Sequence, residues 1–283
     1  MPVTDAELST LASSHDIITI GMKADEVRRS RHGSRTTFVR VATVAGDSGL
    51  PVEIPRAAGE VQIVGVPASR ASAIERAREV VAAAGKVPVS GFSLADLEGL
   101  AAREHVTLRS LLEELQSAGL ELVAEAPVDL LQDPRRSIEE VNIAGLSLAR
   151  LTVYEMPAAD AVAWYQRVAA LQREVSVVRA FAPLPRRLNR LAPTTGYDDV
   201  RRVALARLLV ENVPSIQVDW TLYGPKLAQV ALTVGADDVD AVSPVDDDTL
   251  GRRRAPVEEV CRNIRVAGQE PAERDGRFDS IIR

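Results

Sequence analysis

Short β-branched, apolar runs alternate along this chain with longer stretches whose apolar residues recur at helical spacing. Helical patterns fall near 22–31, from Ser69 onward with Ser72 and Glu75 as a capping box, after Ser93 (LADLEGLAARE), and after Thr107 (LRSLLEELQSAG, closing on Gly119). Further ones cover 134–144, 158–173, 197–212, 225–234 and 256–267. Strand patterns occupy 36–45, 60–66, 86–92, 120–125, 149–155, 175–183, 215–220 and 238–242. Strands separated by helices of ten or so residues predict right-handed βαβ units and a parallel sheet. So many units predict an α/β chain built as a (β/α) barrel, full or partial, with a doubly wound open sheet as the alternative. In both, function belongs beyond the carboxyl ends of the strands.

Composition narrows this picture. The chain has 283 residues, 46% hydrophobic, a formal net charge of −6 and a pI near 5.3. An acidic balance argues against a nucleic-acid binder, whose footprint is a basic face. The polar, acidic start MPVTDAELST has no basic segment followed by an apolar run, so no signal peptide is expected. No apolar stretch reaches about 18 residues, so no membrane partner is expected. One cysteine, Cys261, excludes an internal disulfide, and the expected location is cytoplasmic. No linker divides the chain. A single domain over 1–283 is expected, with a helical lead-in (1–35) and a C-terminal helix and tail (256–283).

The final third carries a resemblance. The run NRLAPTTGYDDVRRVALARLLVENVPSIQVDWTLYGPKLAQVALTVGADDVD, with the tail VEEVCRNIRVAGQEPAERD, is similar to the C-terminal part of a radical-SAM group. That group contains aminofutalosine synthase, cyclic dehypoxanthinyl-futalosine synthase and an enzyme of deazaflavin assembly; LAQVAL and GADDVD lean toward the first. Upstream, ADEVRRSRHGSRTTFVR, EVQIVGV and FAPLP resemble the family more thinly. The resemblance implies a radical-SAM type (β/α) barrel, partial in extent, and a link to futalosine-pathway menaquinone biosynthesis.

The departures fall on the chemistry. The family carries a Cys-x3-Cys-x2-Cys loop after its first strand, where three thiolates hold a 4Fe–4S cluster. Here that stretch reads GDSGLPVEIPRAAG, with acids only at Asp47, Glu53 and the following Glu60. The family's glycine pair after the second strand is Gly65-Val66-Pro67. Its glycine run is Ala-Glu-Ala-Pro-Val-Asp at 124–129, where side chains and a proline obstruct backbone approach to a cofactor. No cofactor is therefore expected: neither the 4Fe–4S cluster nor, by the loss of both glycine approaches, S-adenosylmethionine.

Asp219 and Trp220 close a strand and would sit at a barrel mouth, and Arg40, Glu125 and Asp129 lie on or after predicted strands. Gly224-Pro225-Lys226 opens a helix, so Lys226 could assist an anion at a helix N-terminus, or Pro225 could be an ordinary start signal. Asp237, Asp238 and Asp240 read as a turn-capping network rather than a metal site. Asp246–Asp248 with Arg252–Arg254 read as a solvated loop. His15, His32 and His105 have no ligand spacing. The favoured reading is a binding or partner protein, taking a futalosine-like ligand or an active radical-SAM paralogue. Its competitor is an enzyme with acid–base chemistry at the mouth, using Asp129, Asp219 and Arg40; an active radical-SAM transferase ranks last.

Overall fold

A computed structural model describes residues 14, 16–47, 52–155, 157, 160–187, 195–245 and 256–282. The lead-in helix α1 (Ile17–His32) begins earlier than the apolar pattern suggests. Asp16 accepts the Ile18 and Thr19 amides at 3.1 and 3.2 Å and so fixes its start. Then follow β1 (Arg35–Ala45), β2 (Glu60–Val64), α2 (Arg70–Ala84), β3 (Val89–Ser93), α3 (Leu94–Arg103), α4 (Leu108–Ser117) and β4 (Leu122–Pro127). The second half holds α5 (Pro134–Ile143), β5 (Ser147–Leu148), β6 (Leu151–Val153), α6 (Ala161–Val175), β7 (Ala180–Pro185) and α7 (Gly196–Leu209). It ends with β8 (Ser215–Asp219), α8 (Trp220–Leu232), β9 (Asp238–Val242), α9 (Pro256–Val266) and β10 (Glu270–Glu273).

The expected (β/α) barrel is there, and it closes fully rather than partly. All pairings between the named strands are parallel, and β1 meets both β2 and β9. The predicted strand over 149–155 appears as β5 and β6, which pair with β4 in one register across a short interruption at Ala149 and Arg150. The ladder persists there through Ala149 N to Val123 O at 2.9 Å and Ala126 N to Arg150 O at 3.0 Å. The two pieces therefore act as one barrel strand, giving eight in all. β10 has no counterpart among the sequence expectations. It pairs with the first half of β1, while the second half of β1 pairs with β2.

Local signals set most boundaries. The α2 box is formed by Ser69 and Ser72, not by Ser72 and Glu75, because Ser69 occupies the extended N-cap position. Thr107 caps α4 and Asp133 caps α5, ahead of Pro134 at its first position. The apolar core lies between sheet and helices: Leu97, Leu100, Leu111, Leu112, Leu115 and Ile138 are fully buried, and Tyr165 meets Phe181 edge-on at 5.6 Å. Among the described residues, no helix is long and apolar enough to cross a membrane.

Candidate functional site

The barrel lumen carries the unusual chemistry. Barrels of this kind commonly fill their interior with layers of branched apolar side chains. Here alternate positions on β8 and β9 are polar. The ladder places Gln217 beside Asp238 and Asp219 beside Asp240, so the two pairs stand at successive levels of the lumen. At the lower level Arg274 grips Asp238 through two contacts of 2.6 Å, and Gln217 Nε2 donates to the same carboxylate at 2.8 Å. Thr37 Oγ1 also donates to Asp238. One level up, Arg150 lies 3.0 Å from both Glu60 oxygens and 3.1 Å from Asp240 Oδ2. Ser90 Oγ donates to Glu60 at 2.5 Å. At the mouth, Arg186 spans β4 and β8, reaching Glu125 at 3.1 Å and Asp219 at 2.6 Å.

These groups are deeply withdrawn from water. Glu60 and Asp238 are fully buried, with Asp240 2% and Arg150 3% exposed. Burial alone would push the Asp240 carboxyl up, but Arg150, Arg274 and Arg186 outweigh it and hold it below the usual carboxylate range. Burial opposes the charge on Arg150, yet Asp240, Glu60 and Glu125 raise its pKa. Asp219 moves the other way: burial raises it, with Asp240 adding to the rise and Arg186 counteracting it. Asp96, in the first turn of α3, is also raised, by burial first and then by the neighbouring Glu125. Several atoms in this network have no hydrogen-bond partner: Asp240 Oδ1, Gln217 Oε1, Thr152 Oγ1 and Arg150 Nε, the last held to Asp240 only as an ion pair.

A cavity of about 660 Å³ opens at the carboxyl ends of β1, β2, β8 and β9. Asp219, Glu53, Thr43, Gln62, Thr221 and Ser243 line it together with apolar side chains. Ala241, which also lines it, holds φ at 57°, a left-handed conformation uncommon outside glycine. Its carbonyl accepts from Thr221 Oγ1 at 2.6 Å. A larger cleft of about 810 Å³ lies outside the barrel, walled by α3, α4 and α5, away from the lumen network.

The six residues singled out from sequence separate into two groups. Glu125 and Asp219 meet at the mouth through Arg186, and Asp219 also caps α8 by accepting the Leu222 amide at 2.8 Å. Trp220, 9% exposed, packs in the first turn of α8 next to them. The other three serve elsewhere. Asp129 accepts the Tyr154 and Glu155 amides at 2.7 and 2.8 Å and so shapes the turn after β6. Arg40 is forked onto Glu273 at 2.8 and 3.2 Å, tying β1 to β10; both groups influence Cys261 on α9, which puts them on the helical side of the sheet. Lys226 is exposed and lies past a break at Gly224 (φ 76°, ψ 167°) that divides α8, outside the mouth cavity.

The aspartate cluster corrects another expectation. Asp238 and Asp240 are lumen groups rather than turn caps. Asp237 does not cap a turn either: it accepts the amide of Ile216 in β8 at 2.8 Å and is paired with Arg207. Asp246–Asp248 and Arg252–Arg254, and also His15, lie outside the described residues. His32 contacts the Pro214 carbonyl at 3.1 Å, and His105 is exposed at a helix end. Sequence reasoning missed Arg150, Arg186, Arg274 and Asp96 and gave Glu60 no role. For Glu60, Arg150 and Arg186 the available signal was an ionisable residue within or directly flanking an otherwise apolar strand; Asp96, on a helix, and Arg274, after the polar EPAE strand, carried no such signal.

A family model for the CofH/MqnC C-terminal region matches residues 181–281. The segment runs from β7 past β10, so it contributes Arg186, Asp219, Asp238, Asp240 and Arg274. Over 69% of its length the chain is 27% identical to aminodeoxyfutalosine synthase of Thermus thermophilus, covering 61% of that protein. Again over 69% it is 27% identical to 5-amino-6-(D-ribitylamino)uracil–L-tyrosine 4-hydroxyphenyl transferase of Archaeoglobus fulgidus, covering 66% of it. The chain is thus similar to these two enzymes, and it spans less than two thirds of the length of each. Among solved structures it is similar to methylornithine synthase, with a TM-score of 0.67, 14% identity and coverage of 96% and 95% of the two chains. The hydrogenase maturase HydG of Carboxydothermus hydrogenoformans gives a TM-score of 0.65, 11% identity and coverage of 96% and 76%. Both show the fold.

These comparisons overturn the expectation that no cofactor is associated with this barrel: the relatives and fold neighbours are radical-SAM enzymes that use a 4Fe–4S cluster and S-adenosylmethionine. The donor set of this chain does not match that cluster's three thiolates. Its one cysteine, Cys261, lies on α9, where burial raises its thiol pKa. Among the described residues no group of three His, Cys, Asp or Glu side chains is placed to hold a metal ion. No reaction step is therefore drawn through the cluster.

Proposed function

We propose that this chain is a binding or partner protein of the futalosine route to menaquinone, holding a small molecule at the mouth of its barrel. The observation that carries this reading is the state of the mouth. Its charged groups are locked to one another, with Arg186 bridging Glu125 and Asp219, while a cavity of about 660 Å³ remains beside them. A fixed, largely pre-formed wall beside an open cavity suits recognition. The futalosine link rests on the similarity to aminodeoxyfutalosine synthase, and the equal identity to the tyrosine transferase widens the ligand class to that enzyme's substrates. The test is to add the purified full-length chain to aminodeoxyfutalosine synthase and to pathway intermediates, recording turnover and calorimetric binding. A change in turnover, or saturable uptake of an intermediate, supports the reading. Silence in both measurements removes it.

A second reading has its own support. Asp219 and Asp96 both hold raised pKa values at the mouth, as general acids do. An enzyme using them would lose turnover on Asp219→Asn while retaining ligand affinity. A binding protein would lose affinity and have no turnover to lose.

A further inference from the structure

Among the described residues, the lumen has more negative than positive charge. Five carboxylates (Glu60, Glu125, Asp219, Asp238 and Asp240) face three guanidiniums (Arg150, Arg186 and Arg274). Asp96 adds a further acid beside Glu125. Each arginine is already shared or forked: Arg150 serves Glu60 and Asp240, Arg186 serves Glu125 and Asp219, and Arg274 holds Asp238 alone. Two carboxylates are left in excess, in a region where an uncompensated charge is costly.

The excess is localised next to the cavity. Asp219 lines the cavity, and Asp240 is its register partner, immediately before cavity-lining Ala241. Asp240 is 98% withdrawn from solvent (2% exposed), yet its Oδ1 has no hydrogen-bond partner. The adjacent Gln217 Oε1 is likewise without one. Both are acceptors; Arg150 Nε and the Thr152 hydroxyl also have no hydrogen-bond partner, so the imbalance beside the cavity is one of charge, five carboxylates against three guanidiniums among the described residues. Among the described residues lining the cavity there is no lysine, arginine or histidine, while Glu53 adds a second acid at its rim. Asp219 accepts one bond from Arg186 and one from the Leu222 amide, leaving about two of a carboxylate's four acceptor positions open.

We propose that the mouth cavity is a binding site for an organic amine cation, whose ammonium group docks on Asp219 and offsets the carboxylate excess of the lumen. This deepens the binding reading above by naming its ligand class. The apolar part of the wall, with Val41, Pro55, Leu222 and Val245, accepts a hydrocarbon or aromatic body, and the hydroxyls of Thr43, Thr221 and Ser243 accept its polar substituents.

Three probes of one shape and different charge test it on the full-length chain: benzylamine, benzyl alcohol and benzoate. Calorimetry and ligand-observed NMR should give saturable binding of benzylamine, at least about tenfold tighter than benzyl alcohol, with benzoate excluded. Raising the salt concentration should weaken benzylamine binding and leave benzyl alcohol unchanged. Asp219→Asn should lower benzylamine affinity by about tenfold or more. Because Asp219 also caps α8, Glu53→Gln supplies a second arm at the exposed rim, where a few-fold loss is expected without a change in circular dichroism. Equal binding of amine and alcohol, binding of benzoate, or unchanged amine affinity in a folded Asp219→Asn variant overturns the proposal. So does a carboxyl carbon shift showing Asp219 protonated at neutral pH without amine uptake. Pathway association can fail while amine selectivity stands, and the reverse, so the two readings are judged separately.

Discussion

Arg150→Met would remove the guanidinium that directly contacts both Glu60 and Asp240 while keeping most of the aliphatic volume. In the native barrel Arg150 makes three contacts of 3.0–3.1 Å to these two carboxylates, which are 0% and 2% exposed. Breaking a buried pair by deleting one partner costs about 3–5 kcal/mol, because the remaining charge is left without compensation. Two carboxylates depend on Arg150, so a value near the upper end, about 4–5 kcal/mol, is expected at neutral pH. For a chain of 283 residues that corresponds to a fall in Tm of about 7–9 °C. The sign with pH is also fixed. Asp240 in the native chain lies below its unfolded value, so its stabilising contribution is intact above about pH 4 and declines only as pH falls through the depressed folded value. Removing Arg150 raises the folded carboxyl: burial, the largest single influence on it, is then opposed only by Arg274, Arg186 and the Ala241 amide, and the expected variant loses stability as pH increases. Urea unfolding followed by circular dichroism at about pH 5.5 and 7.5 should therefore show a smaller penalty at the lower pH. A triple variant, Arg150→Met with Glu60→Gln and Asp240→Asn, should recover most of the loss. A penalty below about 1 kcal/mol, or one independent of pH, would refute the claim that this arginine balances a buried charge.

Other outcomes follow from separate parts of the structure. Gly235 joins α8 to β9 at φ +116°, and a Cβ there would lie 2.8 Å from Arg207 Cβ. Gly235→Ala should thus cost at least about 2 kcal/mol in urea titration. Asp219 has a folded pKa above its unfolded one, so its contribution weakens as pH rises from the ordinary carboxylate range through the raised value. The stability difference between the native chain and Asp219→Asn should fall over that window and level off above it, as read from Tm against pH. Burial raises the phenols of Tyr165 and Tyr223, with Asp199 adding to the rise at Tyr223. Difference absorbance should show these two ionising only as the fold opens in strong alkali, and Tyr165→Phe should remove one such late step.

The alternation of apolar runs with helical patterns, and the resemblance of the last third, determined the barrel class. That information is local: strand and helix periods, and caps such as Thr107 and Asp133, depend on neighbours a few residues apart. Local pattern also placed Asp219 and Glu125 at strand ends, where they were found. It could not say that the barrel closes, since closure depends on β1 meeting β9 about 200 residues later in the chain. Nor could it reveal β10, whose EPAE sequence is a strand only because β1 offers it an edge. Charge partners were equally out of reach. Arg150 and Glu60 are 90 residues apart, and Arg40 looked like a mouth residue until β10 supplied Glu273. A charged side chain in a strand is readable from sequence. Which opposite charge stands across the lumen, and which carboxylate is left over, is set by tertiary closure, because Coulomb interactions depend on distance in space and on the dielectric that burial creates.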